Sequence, residues 1–110
     1  RDAGVEVLEL PPSGDGVTLR ALLAALAERG ITRVLVEGGS GIAASLLRDG
    51  LADRLAWFHA PSVIGGDGIP AAHALPLPSL AAAPKFRRVS VRAVGADLLS
   101  EYEVACSPAS

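Results

Sequence analysis

The sequence predicts one mixed α/β domain that closes with an antiparallel β-hairpin. A β-branched, apolar run at 31–36 passes through a glycine-rich turn into a segment with Ile42 and Leu46, and Ala43 and Leu47, at helical spacing. Upstream, Leu19, Leu22, Leu23 and Leu26 fall at i, i+3, i+4 and i+7, the stripe of an amphipathic helix. Near the C-terminus, 86–94 and 97–105 flank Gly95-Ala96, a two-residue connection with glycine first, as a type II′ turn prefers.

In chain order, 5–10 alternates, with Val5, Val7 and Glu9 on one face and Glu6, Leu8 and Leu10 on the other, and predicts a short strand. Pro11 to Gly16 is rich in turn formers and predicts a loop. The first helix takes Thr18 as N-cap and Gly30 as the residue just past its end. The central strand follows, then a helix from Ser40 to about Asp49, stopped by Gly50. Strand and helix twice in succession imply a parallel pair joined by a right-handed crossover. Residues 55–60 carry no charge on either face and predict a strand buried on both sides, closed by Pro61.

Residues 61–84 hold Pro61, Pro70, Pro76, Pro78 and Pro84 with Gly65, Gly66 and Gly68, so they predict a long loop with at most a helical turn at 79–82. Gly65-Gly66-Asp67-Gly68 reads as a surface turn or as part of a site. In the hairpin, a continuous register sets Arg88 across from Glu103, Val89 from Tyr102 and Val91 from Ser100. The tail, 107–110, predicts a frayed end.

Bulk properties bound the function. At 110 residues, half of them hydrophobic, the chain is one domain or less, and with 4% aromatics its core must be filled by Leu, Val and Ala. The formal charge is −2 with basic residues scattered, which excludes the electrostatic footprint of a nucleic-acid binder. No apolar run approaches the ~20 residues of a spanning helix, and the first residues show no signal-peptide pattern, so neither membrane nor export is expected. The single Cys106 forms no internal disulfide, which suits a reducing cytoplasm.

Nucleophile and metal constellations are missing from the pattern. His59 and His73 have no Cys or carboxylate partners at ligand spacing, so no zinc is expected, and Cys106 reads as inert. Neither G-x-S-x-G nor H-E-x-x-H occurs, and no residue is assigned a catalytic role. The informative stretch is Glu37-Gly38-Gly39-Ser40-Gly41. Glycines admit positive φ and close approach of a ligand, Ser40 suits a helix cap, and free N–H groups at a helix start favour an anion. Glu37 stands at the carboxyl end of the predicted strand, where ligands of open α/β sheets gather. The spacing is neither G-x-G-x-x-G, since Ala44 occupies the third glycine's place, nor a phosphate loop of the G-x-x-x-x-G-K type. A sharp structural turn, and a Glu37 that pairs locally, account for the same residues.

The run Val-Leu-Val-Glu-Gly-Gly-Ser-Gly-Ile-Ala-Ala-Ser-Leu-Leu, followed by Asp49-Gly50-Leu51-Ala52-Asp53-Arg54-Leu55 and Ala60-Pro61-Ser62-Val63-Ile64-Gly65-Gly66-Asp67-Gly68, closely resembles the reductase domain of the bifunctional riboflavin-biosynthesis deaminase/reductases, the RibD family. The likeness continues through Pro84-Lys85-Phe86 and Val94-Gly95-Ala96-Asp97-Leu98. It implies a dihydrofolate-reductase-like, three-layer α/β/α fold with a mixed sheet and a C-terminal antiparallel hairpin. It implies NADPH as cofactor and a reductase that converts the ribosyl group of 5-amino-6-(5-phosphoribosylamino)uracil to the ribityl form. Carried over by position, Glu37 contacts this phosphoribosylamino-pyrimidine, and Gly39, Ser40, Gly41, Ile42 and Ala43, with Ala44 and Ser45 beyond them, contact NADPH. The loop at 61–84 then borders the active site. Arg33 and Arg48 are candidates for a 2′-phosphate, and nothing in the sequence selects either.

Hydride transfer needs positioning and electrostatics more than a protein nucleophile, so a chemically bare sequence suits a reductase. The resemblance further implies a homodimer and a chain, 1–110, that forms the C-terminal part of the reductase domain without its N-terminal part or a deaminase domain. Such a piece is expected to be inactive alone. A stand-alone reductase acting on another substrate and a non-catalytic domain that binds nucleotide or dimerises are the competing readings.

Overall fold

The computed structural model describes residues 3–13 and 16–105. Cys106, the tail at 107–110 and the Gly14-Asp15 part of the expected loop lie outside the described residues. Two compact units divide the chain, Arg1–Glu37 and Gly38–Ser110.

In the first unit, β1 (Pro12–Ser13) and β2 (Gly16–Val17) form a two-rung antiparallel ladder where a loop is expected. Helix α1 (Leu19–Glu28) follows, with Thr18 in the N-cap position but no side-chain cap bond. Its leucine stripe is half-buried. At the other end Gly30 has φ +80°, and the bonds Gly30 N–H to Ala27 O (2.9 Å) and Ile31 N–H to Leu26 O (3.1 Å) close a Schellman motif. Arg29 donates to Glu6 at 2.7 Å, which ties 5–10 to the end of α1.

Two expected strands are absent from the ladders of the described residues. Segment 5–10 keeps its alternation, with Leu8 and Leu10 half-buried and Val5 and Val7 exposed, yet no strand pairs with it. Segment 31–36 is likewise unpaired, and its Leu35 is 83% exposed. The expected parallel pair therefore does not form among the described residues. A period in sequence selects side chains for a strand, but its hydrogen bonds must come from a partner.

The second unit opens with α2 (Ser40–Arg48), which ends as α1 does: Gly50 has φ +66°, and Leu51 N–H donates to Leu46 O at 2.9 Å. Strands β3 (Arg54–His59), β4 (Phe86–Val94) and β5 (Asp97–Val104) make an antiparallel sheet in the order β3-β5-β4. A 3-10 turn at Leu80–Ala82 realises the expected helical turn in the long loop. Gly95 has φ +60° and Ala96 does not share a positive φ, which is the type II′ turn expected from the sequence.

The hairpin register departs from the expected one. Val91 does face Ser100, but the register shifts between Arg88 and Ser90, so Arg88 faces Tyr102 and Arg87 faces Glu103. Val89 is the extra residue of a β-bulge. Strand β3 is not buried on both faces either: it pairs with β5 alone, Leu55 and Trp57 are half-buried, and Phe58 on the opposite face is 58% exposed. Among the described residues, Ala44, Leu99 and Ser100 are the buried ones.

Candidate functional site

The glycine corner is built from the start of the second unit. Gly38 has φ +119°, a conformation open to glycine and costly to other residues, and the Gly38–Gly39 peptide is cis. Gly39 is extended (φ −77°, ψ −164°) and takes the N-cap position. Ser40, expected as the cap, is instead the first helical residue, because the chain enters the helix one position earlier. No side chain caps α2, and the first bond of the helix is Ala43 N–H to Gly39 O, 3.0 Å. The N–H groups of Ser40, Gly41 and Ile42 thus precede any acceptor in their own helix.

The expected cofactor residues divide by exposure. Gly39, Gly41 and Ile42 are exposed, whereas Ser40 and Ala43 are half-buried. Ala44 is buried in the second unit, and the Ser45 hydroxyl accepts from Arg48 Nη2 at 3.3 Å, so these two side chains serve their own fold. Glu37 is exposed and is the last residue of the first unit. Arg48 also donates to Asp49 at 3.3 Å, and Arg33 is exposed.

A test for a ligand is whether the fold itself needs these glycines. Gly38 does, through its φ. Gly39 and Gly41 do not: a Cβ on Gly39 would meet nothing within 4 Å, and one on Gly41 would meet only the His73 ring, at an ordinary 3.6 Å. Both positions have room for a Cβ, as has Gly66 in the long loop, and Gly39 also suits the N-cap it occupies.

His73 was not singled out for this corner by the sequence, since it belongs to the Pro/Gly loop. The structure brings it there, with its N–H donating to Ser40 O at 3.1 Å. The Gly65–Gly68 segment is a turn closed by Gly68 N–H to Gly65 O at 3.1 Å. There Gly65 is required by φ +96° and Gly68 by the nearness of Ile64, whose Cγ2 would lie 2.7 Å from a Cβ. Among the described residues no group of three or more His, Cys, Asp and Glu is placed to hold a metal ion. No helix among them is long and apolar enough to cross a membrane.

The fold is that of a dihydrofolate-reductase-like α/β reductase domain: over 96% of this chain and 28% of the other, it superposes on Acinetobacter baumannii RibD (form 1) with a TM-score of 0.81 at 25% identity. The family described as RibD C-terminal domain matches residues 2–100, and the chain belongs to that family. The riboflavin biosynthesis protein RibD of Escherichia coli (strain K12) is 33% identical over 94 residues, covering 86% of this chain and 26% of that protein. RibD of Aquifex aeolicus (strain VF5) is 33% identical over 90% of this chain, again 26% of its own length. The chain therefore spans about a quarter of the curated relatives it matches. The expected α/β class, with its C-terminal antiparallel hairpin, is borne out.

Proposed function

We propose that this chain is the cofactor-holding part of an NADPH-dependent reductase of riboflavin biosynthesis, acting on the ribosyl group of 5-amino-6-(5-phosphoribosylamino)uracil. The observation that carries the reading is the pair Gly39 and Gly41, bare positions that neither φ nor packing demands. They lie beside three N–H groups without an acceptor in their own helix, a setting that suits a diphosphate. NADPH, when bound, supplies the hydride. The main chain of Gly39, Ser40, Gly41 and Ile42 would hold its anionic part, and Ala43 to Ser45 would set the helix behind it. Glu37, one residue before the glycines, is the group proposed to orient the pyrimidine. No residue of this chain is asked to be a nucleophile, which agrees with a reaction run by positioning. The cytoplasm and a homodimer belong to the same proposal.

The test uses the full-length protein. Calorimetry with NADPH should show binding that Gly41→Val removes while the far-ultraviolet dichroism stays unchanged. Glu37→Gln should keep NADPH binding and raise KM for the pyrimidine. NADPH binding without turnover in the unmodified protein would favour a nucleotide-binding domain over a reductase, and no binding at all would defeat the reading.

A further inference from the structure

We propose that His73 is a positioning residue of the glycine corner, its imidazole forming one wall of the space beside Gly41. The proposal rests on the NADPH reading above. One hydrogen bond and one near approach place the residue. Its N–H donates to Ser40 O at 3.1 Å, and its Nδ1 and Cε1 lie 3.6 and 3.7 Å from the point a Gly41 Cβ would occupy.

The rest of the loop explains why one residue matters. Gly68 and Leu77 donate within the loop, to Gly65 and Leu75, whereas His73 reaches across to α2. Pro70 and Pro76 on either side lack an N–H and cannot supply such a tether. The His73 side chain is exposed, so it is not held there as part of a core. Between its ring edge and the Gly41 backbone a methyl group would just fit. A ring so placed limits how far a bound molecule can slide across Gly41. His73 stands one methyl group's width from the Gly41 backbone and acts on the cofactor through the width of that opening, without taking part in hydride transfer.

Steady-state kinetics and NADPH calorimetry on the full-length protein test this. His73→Ala should raise KM for NADPH by about fivefold, the effect of losing one modest contact, with kcat and the pyrimidine KM unchanged. Calorimetry with His73→Ala should show NADPH affinity weakened by the same factor, while the main-chain bond to Ser40 is kept. His73→Phe, which keeps a flat ring, should restore KM for NADPH. Unchanged KM or unchanged NADPH affinity in His73→Ala overturns the proposal while leaving the NADPH reading intact. An equal fall in kcat for both variants overturns it as well, since that marks general damage. An unmodified protein that takes no NADPH overturns both readings together.

Discussion

Arg87 stands directly across from Glu103 and bonds to it, one place earlier in β4 than an unbroken hairpin would put an arginine. The cause is Val89, which has no partner in β5 and is 54% exposed. Beyond the bulge the pairs Arg88–Tyr102, Arg87–Glu103 and Phe86–Val104 follow in regular order, as do Ser90–Glu101 and Val91–Ser100 on its other side. Removing Val89 therefore leaves every pair where it is and joins the two halves of the ladder. The deletion should keep the cross-strand nuclear Overhauser contacts of Arg87 with Glu103 while losing the extra local twist that a bulge adds. Contacts of Arg88 with Glu103 in the deleted chain would show that the valine sets the register.

The Glu6–Arg29 pair gives the first unit a pH dependence of known sign. The Arg29 guanidinium, hydrogen-bonded to Glu6 and attracting it, holds that carboxyl below the usual glutamate range. A depressed folded-state value means the pair contributes above the unfolded carboxylate's range and is lost as pH falls through the lowered folded value. Both partners face solvent, so the contribution is small and screened by salt. Carbon-detected titration of Glu6 should show the depressed midpoint, and Arg29→Ala should return it to the ordinary value. A midpoint unmoved by Arg29→Ala would count against the pair.

What could be read ahead of the structure follows from how local each cause is. Both helices and their glycine stops were legible because i to i+4 bonds and a positive φ at Gly30 and Gly50 are set by near neighbours. The II′ turn at Gly95-Ala96 was legible for the same reason. The bulge at Val89 was not, since a valine in an alternating strand carries no mark of missing its partner. Strands at 5–10 and 31–36 were read from side-chain period, while pairing depends on what lies alongside. At the site, the glycines announced themselves; the shift of the cap from Ser40 to Gly39 and the arrival of His73 from a distant loop did not. No spacing rule connects His73 to Gly41.

Expressed alone, these residues should behave as an incomplete core. Val63 is 96% exposed, Ile69 91% and Leu35 83%, and an apolar side chain left in water forgoes the burial that stabilises a domain. The 110-residue chain should bind the dye anilinonaphthalene sulfonate, associate at raised concentration and give no NADPH-dependent turnover. The full-length protein should show weak dye binding at the same concentration. Clear turnover by the short chain would mean that its own residues complete the site.

Alanine in place of glycine separates the glycines the fold needs from those it does not. Gly30 and Gly50 end their helices at φ +80° and +66°, where a Cβ crowds the next carbonyl, so Gly30→Ala and Gly50→Ala should each cost about 1 kcal/mol in urea unfolding. Gly41 lies inside α2 without positive φ, and its new Cβ would rest on the His73 ring at 3.6 Å, an ordinary contact. There alanine brings better helix propensity, and Gly41→Ala should be neutral or stabilising by up to about 1 kcal/mol. If the bareness of Gly41 serves a ligand, the same substitution should weaken NADPH binding, so stability and affinity move in opposite directions at one residue. A Gly41→Ala protein less stable than the parent would assign this glycine to packing after all, and one that binds NADPH as before would remove the need for a bare backbone beside the cofactor.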